Sequence, residues 1–197
     1  MAILYFVAIL FILFSALFLI RGKASAHCDT MDGPTASDGK KALRTGNINY
    51  AYKWIPMSFE HELLEVFELS RKVRDFGPDA QQLAERFFLE NLIRIHRAGE
   101  GAPFEGLKPS GVPIDEKVAA ADKSIEIGNL SPLERLISHE ELHALEEKFQ
   151  RVIALKDYDI NDIAAARNYV EAYVSFFKQA EGHDHDLHHS HGQLHAS

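Results

Sequence analysis

Two stretches of this 197-residue chain are one stretch written twice. KALRTGNINYAYKWI, starting at Lys41, aligns with KSIEIGNLSPLERLI, starting at Lys123, and puts Gly46-Asn47 on Gly128-Asn129. Onward, Leu63 falls on Leu145, Phe67 on Phe149 and Asp75 on Asp157. After a one-residue deletion, Glu90 falls on Glu171, and Gly99-Glu100-Gly101 meets Ala180-Glu181-Gly182. Two copies of one supersecondary unit, over 37–101 and 119–182, cannot each hide an apolar face alone, so they must bury those faces against each other.

Each copy reads as helices. Phe59, Leu63, Val66, Phe67, Ser70 and Val73 recur at helical spacing, and Leu142, Leu145, Phe149 and Val152 echo them. Gly46 and Gly128 stand where helices end, Gly77-Pro78 breaks the first copy between its two long helices, and Ser131-Pro132 has the form of a helix start. Asp162 to Ala180 carries the last helix, with Tyr169, Tyr173, Val174 and Phe177 on its apolar side. No stretch sustains two-residue alternation. The expected class is all-α: a tandem duplication packed as a pseudo-twofold antiparallel helical bundle, four longer helices with shorter ones ahead of each pair. Between the copies, Gly99 to Pro113 is rich in glycine and proline and contains Phe104 and Leu107, which reads as an ordered loop packed on the body.

The N-terminus bounds the compartment. Residues 2–20 are almost wholly apolar, and Arg21, Lys23 and an A-x-A pattern ending at Ala26 follow. Residues 1–26 read as a signal peptide, which makes the protein exported, periplasmic or extracellular; uncleaved, the same run is long enough to anchor it in a membrane. Cleavage would leave residues 27–182 as one helical domain and 183–197 as a disordered histidine-rich tail. Loss of Arg21 and Lys23 makes the chain more acidic than the formal −8 of the whole sequence, which argues against nucleic acid as a partner and leaves the membrane a role only through the N-terminal segment. One cysteine in an oxidising compartment cannot close an internal disulfide, so Cys28 is a dimer link, a reactive thiol or a metal ligand.

Chemistry concentrates at the processed end. Cleavage after Ala26 makes His27 the first residue and Cys28 the second, and Asp29, Met31 and Asp32 follow within six residues. An α-amine titrates near pH 8 and a thiol near pH 8.5, so a cation can displace both protons at neutral pH. Amine, amide, imidazole and thiolate suit Ni(II) or Cu(II), while Cys28 with Met31 suits Cu(I). The opening His27-Cys28-Asp29 resembles the metal hook of nickel superoxide dismutase, which implies His27 as amine and imidazole donor and Cys28 as amide and thiolate donor. That hook has a second cysteine at the sixth mature position, where this chain has Asp32. Two longer blocks, HCDTMDGP (27–34) and RIHRAGEGAPFEGLKP (94–109), resemble an uncharacterised family of exported bacterial proteins, a likeness that implies no activity.

Other candidates are weaker. His139-Glu140-Glu141-Leu142-His143 is formally H-E-x-x-H, with Glu171 as a conceivable third zinc ligand, but Ser138 with Glu141 also forms a capping box that explains the local sequence without metal. The two copies share His61 with His143, Glu90 with Glu171 and Glu100 with Glu181, and symmetry could bring such pairs together at a shared site. His96 stands where the second copy has Phe177, which reads as a half-buried imidazole capping the apolar stripe; the glycines beside it would allow a ligand close. In the tail, His183, His185, His188, His189, His191 and His195 are dense enough to bind nickel, copper or zinc loosely. The expected function is an exported protein binding a transition metal through its N-terminus and tail. The alternative is a non-enzymatic ligand- or protein-binding module with 94–109 as recognition loop, and a metal-dependent redox enzyme comes third.

Overall fold

The computed structural model describes residues 28–182; the apolar segment, His27 and the tail histidines His183, His185, His188, His189, His191 and His195 lie outside the described residues. Among the described residues there are seven α-helices and no strand: α1 (Pro34–Thr45), α2 (Asn49–Tyr52), α3 (Glu60–Val73), α4 (Pro78–Gly99), α5 (Glu116–Ile127), α6 (His139–Leu155) and α7 (Ile163–Ala180). No helix among them is long and apolar enough to cross a membrane.

The punctuation seen in the sequence is physical. Pro34 opens α1 and Gly46 closes it in the left-handed conformation (φ 75°), returning its N–H to Ala42 O; Gly128 closes α5 the same way (φ 79°). The α3–α4 connection is a single 3-10 turn, Arg74–Phe76, followed by Gly77 at φ 142°, where L side chains are rare, and then Pro78 at the first turn of α4. The helix ends repeat along with the sequence: Thr45 and Ile127, Val73 and Leu155, and Gly99 and Ala180 are equivalent positions, and each is the last residue of its helix.

One expected helix start is absent. Ser131-Pro132 opens no helix, because residues 131–136 run as successive turns and α6 begins only at His139. Ser138 is the reason: it takes extended backbone (ψ 161°), its side chain accepts from Glu141 N, and the Glu141 carboxylate accepts from Ser138 N.

Two hairpins, α3 with α4 and α6 with α7, carry the core, with α1 packed on α4 and α5 on α7. Leu63, Phe88, Leu89 and Leu92 are inaccessible in the first, Leu145, Phe149, Val152 and Phe176 nearly so in the second, and all belong to one continuous cluster. Across the two copies, Arg167 pairs with Glu60 at 2.6 Å, Lys53 donates to the Tyr158 hydroxyl at 2.6 Å, and Trp54 packs edge-on to Tyr173 at 6.0 Å. Residues 100–115 form an ordered loop in which Leu107 packs on the core but Phe104 stays 37% exposed, so only one of its two apolar anchors is used.

Candidate functional site

The first described residues run inward. Asp29 O accepts from Lys108 N at 2.8 Å and Met31 N donates to Lys108 O at 2.9 Å, which lays Thr30 against Lys108 as an isolated parallel bridge. Asp32 Oδ2 accepts from Gly111 N at 2.9 Å, and Lys40 Nζ holds Met31 O at 2.7 Å. The two sequence blocks, 27–34 and 94–109, therefore pair with each other through their backbones. Asp29 and Thr30 are buried as a result, and Cys28 is half-buried with its thiol in a desolvated setting.

On the facing side stands the C-terminal end of α4. His96 is 4% exposed and fully part of the interior, where a half-buried ring was expected. Its Nδ1 lies 2.8 Å from Trp54 O, and a carbonyl can only accept, so Nδ1 carries the proton and donates. In the neutral ring Nε2 is then a lone pair. It is buried, makes no hydrogen bond, and lies 3.9 Å from Glu100 Oε2. The indole of Trp54 stands edge-on to the imidazole at 5.8 Å and is itself fixed by a 2.9 Å bond from Nε1 to Asp38 Oδ2. The two glycines near His96 differ: a Cβ on Gly99 would come within 2.6 Å of the Pro56 ring, so glycine there serves close packing of the chain on itself, whereas Gly101, at φ 67°, has open space where a Cβ would stand.

Charge surrounds these donors. Arg97 Nη1 donates to Glu100 Oε2 at 2.9 Å, and Arg97 Nε is 3.8 Å from Asp29 Oδ1. Lys108 Nζ approaches Asp29 Oδ2 at 3.9 Å, and Lys178 Nζ, from α7, approaches Glu100 Oε1 at 3.8 Å. Burial pushes the Asp29 carboxyl above the usual carboxylate range, with Arg97, Lys108 and His96 opposing the rise. The Cys28 thiol is pushed up to about 12, first by burial and then by the negative charge of Glu100 and Asp29, with the Thr35 hydroxyl and Arg97 offsetting part. Tyr173 donates to Asp122 at 2.9 Å and is held well above its ordinary value first by burial and then by the negative charge of Asp122 and of Cys28.

The structure links Asp29 from the N-terminal set, through Arg97, to Glu100, whose Oε2 lies 3.9 Å from His96 Nε2; the sequence had offered His96 and Glu100 separately. Other candidates stay apart. Met31 packs on the core and Asp32 serves the 111 turn. Glu90 pairs with Arg86 on its own helix at 3.1 Å, His61 is 85% exposed beside Glu65, and His139 and His143 are exposed on the first turns of α6. Glu171 lines an open groove between α6 and α7 with Glu147, Lys148 and Arg151. Among the described residues, no three His, Cys, Asp or Glu side chains are grouped so as to hold a metal ion. Sequence reasoning did not single out Trp54, Arg97, Lys108, Tyr173 or Lys178. Arg97 and Lys108 lie inside the 94–109 block and Trp54 is the chain's one tryptophan, which were the available signals.

An all-α protein whose segment at 29–31 pairs with the loop at Lys108, beside Arg97 near the C-terminal end of α4, is the class that fold and site define. By sequence the chain belongs to the family of unknown function DUF6448, which it matches over residues 32–179. That match takes in His96, Arg97, Glu100 and Lys108 and begins just after Cys28 and Asp29. No curated protein and no solved structure matches the chain.

Proposed function

We propose that this is an exported helical protein that binds a transition metal ion, nickel, copper or zinc, where Cys28 and Asp29 meet His96 and Glu100. The observation that carries the reading is the His96 ring. Leaving a buried nitrogen unpaired costs about 1–3 kcal/mol, whereas a ring whose other nitrogen donates to a backbone carbonyl is in the arrangement that metal-ligating histidines adopt. The Cys28 thiol, next in sequence to Asp29, would supply a second strong donor once a cation displaces its proton. His27, next to Cys28, would add amine and imidazole if export frees it, and the six tail histidines would act as a looser, exchangeable store.

The test is a titration of Ni(II), Cu(II), Cu(I) and Zn(II) into processed full-length protein carrying glutamine at the six tail histidines. One ion per chain is expected, lost in Cys28→Ser and in His96→Gln, and weakened by an extra residue ahead of His27. Binding no better than that of a cysteine-free helical bundle would end the reading. A second reading, a ligand- or protein-binding module using 94–109, draws support from the exposure of Phe104 on an otherwise ordered loop.

A further inference from the structure

We propose that the outer face of the first hairpin, α3 with α4, docks a second copy of this chain, the two copies related by a twofold axis that lays each helix antiparallel on its own copy. This is independent of the metal reading.

The face is built from two stripes. On α3, Val66, Leu69 and Val73 follow Glu62 at alternating spacings of four and three residues, which keeps them on one side of the helix. On α4, Leu83 and Phe87 lie eleven and seven residues before Arg94. Glu62 and Arg94 form an ion pair between the helices, so at equal rise per residue Leu69 comes level with Phe87 and Val73 with Leu83. Leu69, Leu83 and Phe87 are exposed, and Phe76, in the turn joining the helices, is 82% exposed. Apolar side chains gathered on one face in this way mark a contact surface. The hairpin fold does not ask for them, because the second copy has Arg151, Ala164 and Asn168 where Leu69, Leu83 and Phe87 stand.

Charge says what covers the face. On α3 the exposed Glu65 lies one turn before Leu69 and the exposed Lys72 one turn after it, on the same side of the stripe. On α4, Asp79 lies two turns before Phe87 and Arg94 two turns after it. Both helices therefore change from acid to base across the apolar centre. A twofold axis at the level of Leu69 and Phe87, lying in the interface and perpendicular to the helices, sets Glu65 of one copy opposite Lys72 of the other and Asp79 opposite Arg94, each twice. A parallel alignment would instead set acid on acid and base on base. The two hairpins then form a four-helix bundle with Leu69 and Phe87 at its middle. An anionic lipid surface fits less well, because the charges flanking the face balance in sign and the whole chain carries a formal −8. Few side chains per copy are covered, so the association is weak, with a dissociation constant on the order of tens of micromolar. At low micromolar concentration the chain is monomeric, and substitutions on the face leave its unfolding unchanged.

The experiment is sedimentation velocity on processed full-length protein from about 2 to 300 µM, with a reductant and a chelator present so that neither Cys28 nor the tail histidines join chains. The expected result is a monomer passing to a dimer with no larger species, and Leu69→Arg monomeric throughout. Glu65→Lys and Lys72→Glu should each weaken the dimer by about tenfold. The double variant carrying both should restore it, and an equimolar mixture of the two single variants should associate as the parent does. Circular dichroism establishes that each variant is folded. A parent that stays monomeric at every concentration, a dimer that Leu69→Arg leaves intact, or a double variant no better than the single ones overturns the proposal. So does a parent that forms no dimer but floats with phosphatidylglycerol vesicles and loses that property in Leu69→Arg, which would make the face a lipid contact.

Discussion

The two copies answer one packing problem in two ways. At the last turn of α7, the second copy places Phe177, 8% exposed, with its ring 4.4 Å from Tyr173. At the equivalent turn of α4 the first copy places His96, equally buried, with one nitrogen satisfied and the other bare. Phenylalanine shows that the scaffold needs only an apolar ring there. The imidazole adds two nitrogens that a phenyl ring lacks: one holds the Trp54 carbonyl and the other faces Glu100 at 3.9 Å. Neighbouring positions diverge less: Arg97 and Glu100 stand opposite Lys178 and Glu181 in the repeat, and Lys178 reaches across to Glu100 at 3.8 Å.

The largest effect tests whether the copies are one unit. Phe88 in α4 and Phe149 in α6 are almost fully buried, each stacked on an aromatic partner across its own hairpin. Phe88→Ala and Phe149→Ala should each cost about 3–5 kcal/mol, and each should lower a single unfolding transition. Calorimetry together with near- and far-UV circular dichroism checks this. Two separable transitions, with each mutation moving only one, would mean that the copies are independent domains.

His96→Phe installs the second copy's solution in the first. The ring should be accommodated with a loss of about 1–3 kcal/mol, from added bulk and from an unpartnered Trp54 carbonyl, while metal binding at the N-terminal segment disappears. Denaturant midpoints and the titration described above read the two effects separately. If His96→Phe retains the ion, the bare nitrogen is not a ligand and the difference between the copies is one of packing alone.

Most of the fold was legible because it is written in local signals. Gly46, Gly77-Pro78 and Gly128 end helices by backbone geometry, and the repeat supplies each boundary a second time. Ser131-Pro132 failed because a better start lay seven residues on, where Ser138 and Glu141 satisfy each other. The site was legible only in pieces. His96 and Glu100 could be named, but the carbonyl that fixes the imidazole belongs to Trp54, 42 positions earlier, and Asp29 meets cations at 97 and 108. No periodicity encodes contacts at such separations, and burial of an N-terminal segment leaves no mark on its own sequence.

The helix starts offer a smaller contrast. Helix α6 opens on a complete capping box, whereas α3 opens behind Phe59 with no side-chain cap. Ser138→Ala should cost about 1 kcal/mol. The Glu141 carboxyl is held below its ordinary value by the Ser138 backbone and side chain, so its contribution is fully present above the ordinary glutamate range and is lost as pH falls through the depressed value. Denaturant titrations from pH 7 down through the ordinary glutamate range and below it should show the parent losing ground to Glu141→Gln in that acidic window. Parallel pH profiles for the two proteins would remove the box as the cause.

The outer faces of the hairpins differ most visibly and should matter least to stability. On the first hairpin's outer face Glu62 of α3 and Arg94 of α4 form an ion pair. Seven residues on from Glu62 and seven back from Arg94, Leu69 and Phe87 share the outer face, 52% and 43% exposed, with Leu83 68% exposed a turn further along α4. The second copy has Arg151, Asn168 and Ala164 at these positions. Since the apolar side chains are already in water, removing them gives up little burial. Leu69→Arg, Leu83→Ala and Phe87→Asn should each change stability by no more than about 0.5 kcal/mol, and the triple variant should be at least as soluble because a contiguous apolar patch is gone. Urea midpoints and sedimentation of parent and variant, run at matched concentrations, provide the check. A loss well beyond the summed estimate, or one that grows with protein concentration in the parent, would show that this face is covered in the working protein and that the two hairpins differ there because one of them makes a contact.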